Sequence, residues 1–241
     1  MMEKAMGTAL VVGGSSGIGL ATAIQLQDRG YAVHAIGRDK TKLGQAAAKV
    51  PGISTHVADA GSKEAMSAVA SAIGPIDVLV VTVSGSEGPG PFGELDLAML
   101  RRAFDAKFWA QVTTLQAVLP HLADDASITL VGAITASAGM PGTAGIAAIN
   151  AAVEALVKPL AVELAPRRVN AVSPGFVDTP WWSGMPAADR QAYFQHAAGV
   201  LPARQIAQPE EVAEAIVLAA TNRNITGTVI ETDAGARLVT M

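Results

Sequence analysis

Ala9-Leu10-Val11-Val12-Gly13-Gly14-Ser15-Ser16-Gly17-Ile18-Gly19 decides how this chain is read. Residues 8–12 are a short aliphatic run, the pattern of a strand buried on both faces of a parallel sheet. Gly13, Gly17 and Gly19 follow, with Ser15, Ser16 and Ile18 between them, and Leu20, Ala23, Ile24 and Leu26 then repeat at helical spacing. A strand that turns through glycines straight into a helix gathers backbone N–H groups and the positive end of the helix dipole at one point, where a pyrophosphate can be held. Gly13 suits the tight turn, Gly17 lets backbone approach the phosphates, and Gly19 lets the helix pack close to the strand. The spacing is Gly-x-x-x-Gly-x-Gly rather than the commoner Gly-x-Gly-x-x-Gly. It predicts a dinucleotide site at the first strand–helix turn.

Outward from that turn, strand-like and helical patterns alternate. Strands are expected at residues 8–12, 32–36, 53–57, 77–83, 126–132, 168–173 and 227–232, and helices near 18–29, 40–49, 62–72, 96–122, 144–164 and 209–220. Continuous apolar strands alternating with helices make an α/β fold: one doubly wound parallel sheet of about seven strands, covered by helices on both faces, spanning residues 1–241 as a single domain. Segment 174–205 breaks the rhythm. It is long and Pro-rich, carries Trp181, Trp182, Met185, Tyr193 and Phe194, and follows a strand's carboxyl end, the position of a substrate lid in open α/β sheets.

The bulk numbers exclude several classes. Among 241 residues, half are hydrophobic, yet the apolar runs are broken by Gly, Asp and Pro and suggest no transmembrane helix. Met1-Met2-Glu3-Lys4-Ala5-Met6-Gly7 lacks the apolar core of a signal peptide. Zero cysteines remove disulfides and thiolate metal sites and fit the cytoplasm. A net charge of −4 gives nucleic acid no basic footprint. His34, His56, His121 and His196 have no ligand spacing, so no metal is expected.

Several blocks resemble the short-chain dehydrogenase/reductase family of Rossmann oxidoreductases. Val12-Gly13-Gly14-Ser15-Ser16-Gly17-Ile18-Gly19 is similar to its Thr-Gly-x-x-x-Gly-x-Gly motif, with Val12 replacing the Thr. Arg168-Val169-Asn170 through Pro174-Gly175, Val177 and Thr179 is similar to its Arg-Val-Asn…Pro-Gly…Thr segment. Pro209-Glu210-Glu211-Val212-Ala213 and Ile225-Thr226-Gly227…Thr232-Asp233-Ala234-Gly235 resemble its last helix and strand. The resemblance runs the whole chain in order. It implies that Thr179 contacts the carboxamide of a nicotinamide, that Pro174, Gly175 and Val177 form its wall, that Asp59 and Ala60 lie at the adenine, and that Ser84 stands after the fourth strand where the family has Asn-Asn-Ala-Gly.

At the reacting centre the chain departs from the family's Tyr, Lys, Ser and Asn. Ile146 falls at the Tyr position, Asn150 at the Lys position, Ala133 at the Ser position thirteen residues before Ile146, and Lys107 at the Asn position. Lys107 and Asn150 thus exchange the family's Asn and Lys, and the resemblance implies that they face the nicotinamide ribose from neighbouring helices, with a Lys–Asn hydrogen bond running in the reversed sense. Lys107 and Asn150 are the candidate catalytic residues. Other candidate proton sources are Tyr193, His196 and water.

The residues after the second strand, Gly37-Arg38-Asp39, bear on which cofactor is used. An acid at the strand end would accept from a ribose 2′-hydroxyl. Gly37 is neutral there and the Arg38 guanidinium suits a 2′-phosphate, which favours NADP(H) over NAD(H). Asp39 precedes a helix and reads as its N-cap. Two functions follow: an NADP(H)-dependent oxidoreductase acting on a small, fairly apolar carbonyl or activated alkene by a non-standard mechanism, or a non-catalytic NADP(H)-binding sensor or structural partner. The expected partners are a small-molecule substrate and further copies of the chain in a homodimer or homotetramer, with no nucleic acid and no membrane.

Overall fold

Thr8–Val12 forms β1, whose Ala9, Leu10, Val11 and Val12 are all buried because helices cover both sides of the sheet. The computed structural model describes residues 6–239, so the reading of residues 1–5 lies outside the described residues. Six further strands pair in parallel with β1 or its neighbours: β2 (Ala32–Gly37), β3 (Ser54–Val57), β4 (Ile76–Val81), β5 (Leu122–Val131), β6 (Arg168–Pro174) and β7 (Val229–Thr232). Their order is β3-β2-β1-β4-β5-β6-β7, so the chain reverses direction across the sheet between β1 and β4. The register there pairs Val12 with Val81. A crevice opens at the carboxyl ends of the strands at such a reversal, and the glycine turn stands in it.

Alternation of side chains along the strands splits the core. Ala9, Val11, Val33, Val78, Val80 and Val172 face α1 (Gly17–Asp28), α2 (Lys40–Lys49) and α9 (Pro209–Thr221), whereas Leu10, Ile36, Leu79, Val81, Ile128, Leu130 and Val169 face α3 (Lys63–Ile73), α5 (Ala110–Val118), α6 (Ala144–Ala155) and α7 (Val157–Glu163). Each aliphatic side chain fully buried in this way stabilises the fold by about 1.5–3 kcal/mol. Local chemistry sets the boundaries. Asp39 caps α2, its carboxylate accepting from the N–H groups of Thr41 and Lys42 at 2.8 and 3.1 Å. Ser62 and Asp96 cap α3 and α4 (Leu97–Phe104) in the same manner.

Four departures from the sequence reading have physical causes. The helix expected over 96–122 is α4 and α5 joined through a π turn at Asp105–Trp109, with a 3-10 turn at Leu119–His121. The helix expected over 144–164 divides between α6 and α7, since Pro159 has no N–H to bond the carbonyl of Ala155. By length and hydropathy Ala144–Glu163 would suffice to cross a membrane, contrary to the reading of broken apolar runs; here Gly145, Ile149, Asn150, Val153 and Val157 pack into the protein. Finally, β5 begins at Leu122 rather than 126. The exposed Asp124 and Asp125 mask its start, where the β4–β5 register shifts between Ile76 and Val78.

Segment 174–205 contains a 3-10 turn at Pro180–Gly184 and a helix, α8 (Ala187–Val200), that the sequence reading did not place. Its aromatic residues pack mainly on one another. Trp182 stacks on Phe176 and meets Phe194 edge-on, with ring centroids 6.4 and 5.3 Å apart.

Candidate active site

The turn after β1 is shaped for close approach. Gly13 has φ +92°, a conformation that favours glycine. A Cβ on Gly19 would collide with the Gly13 carbonyl oxygen and with the Thr82 hydroxyl. Thr82, which sequence reasoning passed over, donates its hydroxyl to the Val12 carbonyl at 3.1 Å and ties the turn to β4. Ser16 is the N-cap of α1 but makes no side-chain cap bond, so the first-turn N–H groups keep their capacity for an external anion. The Ser15 hydroxyl oxygen would lie 3.1 Å from a Cβ on Gly37, which places it beside the end of β2, where Arg38 is exposed. These features fit a phosphate-bearing dinucleotide at the turn after β1.

The rest of the crevice rim comes from the ends of β3, β4 and β6. The Asp59 carboxylate accepts from the Gly61 N–H at 2.9 Å, and the buried Ala60 accepts through its carbonyl from the Thr114 hydroxyl at 3.2 Å. Exposed Ser84 turns along the chain to the Gly85 carbonyl at 3.2 Å. Pro174 ends β6, and Gly175 leaves room for the β7 end, since a Cβ there would come within 2.8 Å of Asp233 Cα. Val177 is buried and bridges to Ala207. The Thr179 hydroxyl caps the Pro180–Gly184 turn through Trp181 N at 3.4 Å, and its Cβ lies 3.4 Å from the Cβ position of Gly17. Nearby, Trp181 Nε1 donates to the Gly85 carbonyl at 2.9 Å, so the segment after β6 reaches across to the loop after β4.

Lys107 lies in the π turn and is buried, at 8% exposure, and its Nζ donates to the Gly132 carbonyl at 2.9 Å. Burial lowers its pKa to about 8, against the opposing pull of the Glu154 carboxylate. Asn150 is buried too, but its Nδ2 donates to the Thr135 hydroxyl at 2.8 Å. The expected Lys107–Asn150 bond is therefore corrected: the Lys107 ammonium and the Asn150 amide each donate instead to the segment that follows β5. Ala133 follows Gly132 after β5, and the 3-10 turn Ile134–Ala136 brings the Thr135 hydroxyl into this region. Ile146 packs against the loop after β4, its Cγ2 2.9 Å from the Cβ position of Gly88.

Glu154, one helical turn beyond Asn150, was not singled out by sequence reasoning. Burial raises its pKa, opposed by Ser173, Lys107 and the Ala133 backbone, while Glu231 adds to the rise. His34 and His56, read as isolated, stack across β2 and β3 with Nδ1 and Nε2 2.9 Å apart. Among the described residues no three metal-ligating side chains gather.

Comparison with known proteins sets this geometry in context. Residues 12–237 match a protein-family model described as enoyl-(acyl carrier protein) reductase. A cis-4-hydroxycyclohexanecarboxylate dehydrogenase from Sinomonas cyclohexanicum is 35% identical over 240 residues, covering 94% of this chain and 95% of that protein. A small-chain dehydrogenase solved in complex with NADPH is 34% identical with a TM-score of 0.82, over 98% of this chain and all (100%) of that one. An NADPH-bound short-chain oxidoreductase from Pseudomonas aeruginosa PAO1, described as containing an atypical catalytic center, is 30% identical with a TM-score of 0.86, over 95% and 96% of the two chains.

Proposed function

The chain belongs to the short-chain dehydrogenase/reductase family of oxidoreductases, which use a nicotinamide cofactor, and from that premise we propose that it is an NADP(H)-dependent reductase of a small, fairly apolar carbonyl or activated alkene in which Lys107 takes the place of the family's Tyr. The observation that carries this reading is the buried Lys107 ammonium at the end of β5, one residue from the position of the family's Ser. It is the one cation among the aligned positions 107, 133, 146 and 150.

When bound, the nicotinamide supplies the hydride, and the chain supplies everything else. The turn residues Gly13, Ser15, Ser16, Gly17, Ile18 and Gly19 hold the pyrophosphate through backbone N–H groups. Arg38 pairs with the 2′-phosphate, supported by the neutral Gly37 and by the engagement of Asp39 as a helix cap. Asp59 and Ala60 border the adenine. Ser84, Pro174, Gly175, Val177 and Thr179 border the nicotinamide. Lys107 Nζ would give its proton to the substrate carbonyl oxygen as charge develops there, and would be left as a neutral amine. Asn150, held by Thr135, keeps a polar contact beside the ribose. Residues 174–205 act as the lid, with Trp181 as its contact to the Gly85 loop, and Ile146 makes the pocket apolar. The chain works as a homodimer or homotetramer through the outer faces of α4–α7, where Trp109 and Val162 are 54% and 81% exposed. Its setting is the cytoplasm.

The test is NADPH consumption, followed by absorbance, against a panel of small apolar ketones, aldehydes and activated alkenes, with K107M run in parallel. Turnover that falls at least a hundredfold in K107M supports the reading. Tight NADPH binding with no turnover on any member would instead favour a cofactor-binding protein without chemistry.

A further inference from the structure

Gly132 separates two ionisable side chains that approach it from different helices. On one side Lys107 Nζ donates to its carbonyl oxygen at 2.9 Å. On the other, the Glu154 carboxylate lies against its Cα: a Cβ on Gly132 would stand 2.5 Å from Glu154 Oε1, 3.0 Å from Cγ and 3.2 Å from Cδ. Only a glycine admits the carboxylate this close. Glu154 Oε1 is buried without a hydrogen-bond partner within normal distance, and so is the Ser173 hydroxyl that faces it from β6. An acceptor left in that state is costly unless a charge nearby compensates it.

The neighbouring charges identify that partner. Glu231 faces Glu154 from β7 but is already paired with Arg237 at 2.7 Å, and Arg237 also holds Asp233 at 2.8 Å. Ser173 and the backbone of Ala133 are uncharged. Lys107 is the cation left to Glu154 among the groups that act on it.

We propose that Glu154 is a positioning residue for the reaction: held against Gly132, its carboxylate balances the Lys107 ammonium and so keeps on Nζ the proton that Lys107 must deliver. This rests on the reading of Lys107 as the proton source. Without a counter-charge a lysine buried in an apolar wall deprotonates near neutrality and has no proton to give. Glu154 acts across a single residue, Gly132, so its effect passes through Lys107. The helix spacing supports the same role: Ile146, Asn150 and Glu154 lie on one face of α6, with the charge one turn deeper than the reacting positions.

The experiment reads Lys107 directly. Protein labelled with 13C at lysine Cε carries seven lysines, and the Lys107 resonance is the one missing in K107M. Its titration midpoint should fall by about one pH unit in E154Q and stay near the wild-type value in E154D. In the unmodified protein the Glu154 Cδ resonance should show a second inflection at the Lys107 midpoint, so a poorly folded E154Q would not shield the proposal. The alkaline limb of the pH–kcat profile should move by the same amount as the midpoint, with KM for NADPH unchanged. An E154Q midpoint equal to wild type, a Glu154 resonance without the second inflection, or a limb that stays in place while the midpoint moves, each overturns the proposal. Absence of turnover in the wild type, with the coupled titration intact, would instead remove the oxidoreductase reading.

Discussion

Lys107 and Gly132 are joined by a 2.9 Å hydrogen bond from a buried ammonium to a backbone carbonyl. The bond satisfies one of three ammonium donors and leaves the charge in an apolar wall, which lowers the Lys107 pKa from 10.5 to about 8. The unfolded chain thus binds this proton more tightly than the native one. By linkage the native state gains stability as pH rises from about 8 towards 10.5 and carries the full cost below that window. K107M removes that cost but leaves the Glu154 carboxylate without its counter-charge, so it should lose activity, and its stability relative to wild type should fall as pH rises from about 8 towards 10.5. Thermal unfolding at pH 7 and pH 10 checks this. Wild type should gain on K107M at the higher pH, and a gap independent of pH would count against a charged Lys107.

Arg38 is exposed at the end of β2, with its neighbour Asp39 committed to α2. Replacing it with Ala should cost NADPH on the order of 1.5–3 kcal/mol of binding, about ten- to a hundredfold, and leave NADH affinity nearly unchanged. Fluorescence titration of both cofactors measures it. Equal affinities for NADPH and NADH in the wild type would refute the assignment.

Trp181 spans the crevice to the Gly85 carbonyl, whereas Trp182 is held by the Val177 carbonyl at 3.0 Å inside its own aromatic cluster. The burial expected for both indoles against a ligand thus falls to Trp181. Loss of one neutral hydrogen bond, about 0.5–1.5 kcal/mol, should make NADPH release about two- to tenfold faster in W181F. Stopped-flow displacement gives that rate. Hydrogen exchange over residues 177–205 should slow when NADPH is added; unchanged protection would make the segment ordinary surface packing.

Much of the sheet was legible because residues such as Leu10, Leu79 and Ile128 sit in unbroken apolar runs that only a two-sided burial explains. The glycine turn was legible because its spacing answers to backbone geometry, not to distant neighbours. Helix α8 was missed since Ala187–Val200 sets Tyr193 and Phe194 side by side among small and polar residues rather than at helical spacing, and their partners Phe176 and Trp182 lie on a separate stretch of chain. Thr135 and Glu154 were missed for a related reason. Offsets counted along the chain locate positions within one element, but the Asn150–Thr135 bond and the approach of Glu154 to Gly132 join different elements. Their clue was present in part: Glu154 follows Asn150 by one helical turn on a face otherwise apolar.

The outer surfaces of α4–α7 leave Trp109, in the π turn, and Val162, on α7, exposed, while the inner faces of these helices pack into the core. The interface proposed between copies of the chain would cover these side chains. Light scattering at micromolar concentration should give two or four times the 24.5 kDa chain mass, and V162D should shift the population towards smaller species. A single 24.5 kDa species for the wild type would contradict it.

Rebuilding the family's catalytic residues probes the site most directly. The combined variant I146Y, N150K, A133S and K107N restores Tyr, Lys, Ser and Asn at their aligned positions. Two constraints govern whether it folds. Ile146 already lies 2.9 Å from the Cβ position of Gly88, so the added ring must move the loop after β4, at about 1–3 kcal/mol. K107N removes the cation opposite Glu154, but N150K returns one a helical turn away, so the half-buried carboxylate keeps a counter-charge. The three-residue variant without N150K should for that reason be the less stable of the two. A positioned acid contributes about 10²–10⁴-fold, so the folded four-residue variant should reduce activated ketones with NADPH measurably faster than wild type. The rate should no longer depend on residue 154: adding E154Q to this background should leave the pH profile in place, whereas in wild type it moves the alkaline limb. A folded variant with no gain would show that Ile146 and Asn150 do not stand where the family's acid and lysine act.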